Sequence, residues 1–72
     1  MPTTDELDLQ PGDLVEGVAA GSTHGSVLRC RLDRKPWSHG TGSDGRERTV
    51  VSDGKGVDSL YTDTIRIIER AQ

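Results

Sequence analysis

A chain of 72 residues with 31% hydrophobic content and no Phe is one domain with a slight core, because a domain this small buries only about 60–65% of its unfolded surface. The lone Cys30 excludes an intramolecular disulfide, and neither a leader-like apolar segment nor a membrane-spanning run is present, so a cytoplasmic protein without membrane contact is expected. The formal net charge of −3 argues against a binder that relies on neutralising phosphates.

That charge is unevenly spread. Residues 1–28 carry −5, residues 29–48 carry +3 and residues 49–72 carry −1. The basic middle can steer a partner, or it can be an ordinary solvated face. Arg outnumbers Lys seven to two, a bias common in GC-rich coding sequences such as those of actinobacteria and their phages.

In chain order, the acidic "MPTTDELDLQ" predicts a mobile tail over residues 1–9, with a single small β domain over 10–72. "PGDLVEGVAAG" places a Pro-Gly turn before Leu14, Val15 and Val18 around Glu16, as in a half-buried strand. "SVLRCRLDR" alternates Leu28, Cys30 and Leu32 with Arg29, Arg31 and Asp33, which predicts a strand with the first three inward. "RERTVVSDGKGVDSLY" predicts paired strands near 46–52 and 56–61, joined at Asp53-Gly54 by a type I′ turn. At the end, the β-branched Thr62, Thr64, Ile65, Ile67 and Ile68 favour a strand at about 65–69 over a helix, with "YTDT" as one helical turn before it. Five short strands separated by turns predict an all-β fold, a small barrel that closes on itself to hide its edges.

"HGTGSDGRER" holds Gly40, Gly42 and Gly45 in G-x-G-x-x-G spacing. The third glycine leads into "RERTVV", strand chemistry that supplies no helix N-terminus for a pyrophosphate, and no G-K-[ST] appears. The stretch reads instead as a turn at Asp44-Gly45 within a twelve-residue excursion, "RKPWSHGTGSDG", a length at which loops tend to be functional or disordered. It carries Trp37, the only Trp, beside Arg34, Lys35 and His39. An aromatic among cations suits an interface anchor, an acidic-motif clamp or base stacking. Equally, Trp37 can fold back to plug the open end of the barrel.

His24, Cys30 and His39 lack the spacing of a zinc site. A triad of His39, Ser43 and Asp44 would lack rigid support in a Gly-rich loop. No enzyme activity, cofactor or metal is expected.

The stretch "PGDLVEGVAAGSTHGSVLRC" resembles a KOW-type opening. Gly12, Asp13 and Val15 match its Gly-Asp-x-Val strand, and Gly25 and Val27 match the Gly-x-Val that introduces the second strand. "SLYTDTIRII" resembles the helical turn and last strand that close such domains. The resemblance implies a five-stranded Src-homology-3-like barrel of the kind found in transcription and ribosomal proteins, whose basic loop contacts RNA or a protein. Here that loop, "AAGSTHG", has no Lys or Arg.

The expectation is therefore a non-enzymatic binding module, a small regulatory or accessory protein. It would engage a protein partner through the 34–48 loop with Arg34, Lys35, Trp37, His39, Arg46 and Arg48. The runner-up is RNA or DNA binding through the basic segment 29–48, where Arg29 and Arg31 add a secondary face. A third reading is a small accessory subunit of an enzyme, stable only in its complex.

Overall fold

Alternation decides the first hairpin. In the computed structural model, which describes residues 3–21 and 24–71, strand β1 (Leu14–Val18) buries Val15 and Gly17 and leaves Leu14, Glu16 and Val18 half-exposed. Strand β2 (Val27–Arg31) turns Leu28 and Cys30 toward the core and Val27, Arg29 and Arg31 to solvent. The two pair antiparallel in unbroken register from Leu14↔Arg31 to Val18↔Val27. β6 (Arg66–Glu69) joins the other side of β1, giving a sheet of order β2-β1-β6.

A second sheet of order β3-β4-β5 comprises β3 (Trp37–Thr41), β4 (Glu47–Ser52) and β5 (Val57–Tyr61). β4 pairs with β5 as its pattern predicts, from Arg48↔Tyr61 to Ser52↔Val57. The turn between them differs from the type I′ expectation. It has four residues, only Gly54 takes a positive φ (88°), and the Asp53 carboxylate accepts the amides of Lys55 (2.8 Å) and Gly56 (3.0 Å). An Asp side chain bonding two residues ahead is a turn in its own right. A 3-10 turn at Thr62–Thr64 leads into β6.

The barrel is not observed. Six strands form two three-stranded sheets, tied at one corner by an Ala19↔Leu60 bridge and the Ala20 N–H to Ser59 carbonyl bond (2.8 Å), and no closed barrel exists among the described residues. Two causes are visible. The supposed excursion is itself a strand, β3, whose residues are all exposed and so carry no alternation for pattern reading to find. The N-terminal segment also takes up core space. One helical turn, α1 (Thr4–Leu7), is capped by the Thr3 hydroxyl accepting the Glu6 amide, with Thr4 5% and Leu9 1% exposed. Residues 3–9, expected as tail, lie against the sheets in this structure.

Leu9, Val15, Leu32, Val51, Leu60 and Ile65 form the core, with Leu7, Leu28, Cys30 and Ile67 packed on its margin. Each fully buried aliphatic side chain contributes about 1.5–3 kcal/mol. Beside it, Thr4, Thr49 and Thr62 form a buried hydroxyl chain with both Oγ–Oγ distances 2.7 Å. These polar groups are satisfied, and no buried side-chain N or O atom lacks a hydrogen-bond partner among the described residues.

Candidate interaction face

Register determines which side chains share the outer face of the second sheet. Trp37 lies opposite Val50, Val50 opposite Ser59, Ser52 opposite Val57 and Arg48 opposite Tyr61. Residues directly opposite, or two apart along a strand, point the same way. Trp37, Arg48, Val50, Ser52, Val57, Ser59 and Tyr61 therefore share one face, while Thr49, Val51 and Leu60 point to the interior. On that face Trp37 (46% exposed) and Val57 (63%) are the open apolar groups. Trp37 plugs nothing.

At the opposite end from Val57, Tyr61 is only 5% exposed although it lies on the outer face. Arg46 covers its ring at 3.7 Å, Arg48 stands 5.2 Å from its centroid, and His24 meets it edge-on. The Tyr61 hydroxyl and His24 Nδ1 are 3.2 Å apart. Sequence reasoning missed Tyr61 as the anchor of this cluster. The available signal was its period-two relation to Val57 and Ser59.

The glycines of the 39–48 stretch build a hairpin. Gly40, at φ 92°, sits at a bulge between Ser38 and Gly40 where the β3–β4 register shifts, and its amide donates to the Ser38 hydroxyl at 3.0 Å. Such a φ favours glycine. At Gly42 a side chain would collide with the Arg48 guanidinium. That guanidinium donates to the Arg46 carbonyl (3.0 Å) and to Asp44 (3.2 Å), so Arg48 staples the hairpin.

The other cations singled out from sequence are also engaged. Arg46 pairs with Asp63 at 2.8 Å, Arg34 with its neighbour Asp33 at 3.3 Å, and Lys35 lies 4.0 Å from Asp8 while donating to the Leu9 carbonyl at 3.3 Å. On the outer face of the first sheet, Glu16 receives Arg29 and Arg66, each at 2.9 Å, and Arg31 meets Glu69 at 3.1 Å. Hydrogen bonds from Arg29 and then Arg66 hold the Glu16 carboxyl below the usual range. Most of these pairs are open to water and add little stability. They reduce the local charge a phosphate would seek, although the single Glu16 carboxylate serves both Arg29 and Arg66 and so offsets only one of them. His39 is exposed on β3 beside Trp37 and Ser38. Asp44 accepts the Arg46 amide as well as Arg48, which leaves no bond joining it to His39 or Ser43 among the described residues.

Cys30 lies at the edge of the core in a cleft of about 70 Å³, between β2 and the β4–β5 hairpin, with Leu28, Val51, Leu60, Asp53 and Asp58. Burial first, then the charges of Asp53, Asp58 and Asp33, pushes its thiol from 9.0 up to about 11. The thiolate is the reactive form, so at pH 8 a thiol reagent is expected to modify native Cys30 about a hundredfold more slowly than the unfolded chain. Equal rates in buffer and in urea would contradict this placement. No group of three or more His, Cys, Asp and Glu side chains is arranged to hold a metal among the described residues, and no helix there is long and apolar enough to cross a membrane.

No family model, curated protein or solved structure matches the chain. The KOW-type likeness rests on its five matching positions and the closing segment alone. What the fold and face define is a small all-β domain of two sheets that displays a tryptophan on a strand at a sheet edge.

Proposed function

We propose that the protein is a non-enzymatic binding module, a small regulatory or accessory protein. It engages a protein partner through the outer face of β3–β4–β5, with Trp37 as the anchor. The observation that carries this reading is Trp37 itself, 46% exposed on the same face as Val50 and the open Val57. Interface hot spots are enriched in Trp and cluster with apolar neighbours. Arg34 and His39 contribute at the rim. Arg46 and Arg48 support the face indirectly, by covering Tyr61 and stapling the hairpin. Nucleic-acid binding through residues 29–48 loses ground because Arg31, Arg34, Arg46 and Arg48 each face an acidic partner, and Arg29 shares Glu16 with Arg66.

The test is capture of partners from the native host on the full chain, with and without nuclease, followed by binding measurements with Trp37→Ala. A protein that survives nuclease is expected, and the variant should bind it about thirtyfold or more weakly, the scale of an aromatic hot spot of about 2 kcal/mol. The melting temperature should shift little, since the indole is half in water. Undiminished binding by the variant, or capture that vanishes with nuclease, would refute the proposal.

A further inference from the structure

The N-terminal segment is attached to the sheets in an unusual way. Its backbone–backbone hydrogen bonds are local, Leu7 N–H to Thr3, Asp8 N–H to Asp5 and Asp13 N–H to Gln10, and none reaches a strand among the described residues. Side chains of the body grip its main chain instead. Glu47 of β4 accepts the Thr4 amide at 3.0 Å, and Asp13 accepts the Gln10 amide at 2.9 Å. Lys35 donates to the Leu9 carbonyl at 3.3 Å and Arg70 to the Asp8 carbonyl at 2.9 Å. Further holds are the Thr4 hydroxyl's contacts with Thr49 and Glu47, the Lys35–Asp8 pair at 4.0 Å, the buried Leu9 and the half-buried Leu7. A single helical turn has no stability of its own.

We propose that residues 3–10 form a strap that opens as a unit while both sheets stay paired. It is held shut by the buried Leu9 and Thr4, by Leu7 at the core margin and by charged side chains gripping its backbone. Opening uncovers the seat of Leu9 among Val15, Leu32, Val51, Leu60 and Ile65, together with the hydroxyls of Thr49 and Thr62. The closed fold thus hides a second surface, apolar at its base and polar at its rim. Segments without ladder bonds open at lower free energy than the strands beneath them. Lys35 and Arg70 are half-exposed, at 56% and 52%, so dissolved ions compete with their grip.

Native-state amide exchange on the full chain tests this, because the Thr4 amide, bonded to Glu47 of β4, is protected only while the strap is closed, and the Gln10 amide, bonded to Asp13, reports the root of the strap. They should exchange at least about a hundredfold faster than the amides of β1 and β4, with little dependence on low urea, yet at least about tenfold slower than in a free peptide. Glu47→Gln weakens the carboxylate's hold on the Thr4 amide and should speed that amide about tenfold while leaving β1 and β4 unchanged. Raising the salt to about 0.5 M should accelerate both strap amides. Thr4 and Gln10 exchanging with the same rate and urea dependence as β4 would overturn the proposal, as would rates equal to those of a free peptide. So would a Glu47→Gln effect that is absent or spread equally over the strands, or a strap indifferent to salt.

Discussion

Asp13→Ala is expected to lower the unfolding free energy by about 3–5 kcal/mol, the range for removing one member of a buried, hydrogen-bonded charge cluster. Asp13 is 1% exposed, and its carboxylate accepts the amides of Ala71 (2.7 Å) and Gln10 (2.9 Å) and the Arg70 guanidinium (3.0 Å). Alanine would leave these three donors facing a void, at the point where the entry to β1 meets Gln10, Arg70 and Ala71. A domain of this size holds about 4–11 kcal/mol in all, so the variant should melt far below the parent or fail to fold; a urea midpoint within error of the parent's would refute the role. The pH dependence has a definite sign. The Ala71 amide first, then the Gln10 amide and Arg70, hold the carboxyl below its usual value against the opposing effect of burial. A depressed folded value means that the stabilisation is present above the unfolded value of about 3.9 and disappears as pH falls through the folded one. Glu16, Asp33, Asp44, Glu47 and Asp53 are depressed as well. Stability should therefore decline steadily below about pH 4, with a shallower decline in Asp13→Asn wherever that variant folds.

Leu60→Ala should cost about 2–5 kcal/mol, the span of large-to-small changes in cores that relax only partly. Leu60 is fully buried on β5, lies opposite Thr49 in its own sheet, and bridges to Ala19 of the other. A β-carbon built on Gly17 would come within 3.2 Å of the Leu60 Cδ1. The first sheet presses this closely on the side chain, so the cavity left by truncation has little room to collapse. Val57 on the same strand is the control: at 63% exposed, its change to Ala should move stability by no more than about 0.5 kcal/mol. Denaturant curves for the two variants settle the matter, and similar losses would mean that the sheets are not joined through Leu60.

The fold was legible where the chain alternates. Leu28, Cys30 and Leu32 against Arg29, Arg31 and Asp33 placed β2 and its inward face; β4, β5, the helical turn and β6 were marked by β-branched runs and turn residues. β3 was invisible because "WSHGT" has no buried side, and its order comes from pairing with β4. Thr4 and Leu9 were unreadable for a related reason. Thr4 is buried by Glu47 and Thr49, which reach it across more than forty residues of sequence, and Leu9 by a core drawn from the whole chain, while local composition said only acidic and polar. Of the candidate site, Trp37 was legible as the lone Trp in a cationic stretch. The pairing of that stretch was not, because Glu16, Asp63 and Glu69 are brought to Arg29, Arg46 and Arg31 only by the fold.

The bulge at Ser38–Gly40 bears on how such a face survives in concentrated solution. β3 lies at the edge of its sheet, every one of its residues is exposed, and it begins with a half-open indole. A regular strand of that kind is a template on which another copy can add itself, and repetition of the step makes a fibre. Here the regular pleat lasts only through Trp37 and Ser38 before the register shifts, and beyond the shift the Gly40 amide is already taken by the Ser38 hydroxyl. An incoming strand meets a break in the pleat, and one donor already engaged, after two residues. The irregularity that makes the 39–48 stretch look like a nucleotide loop in the sequence thus works against polymer growth along a strand that leaves its one tryptophan half in water.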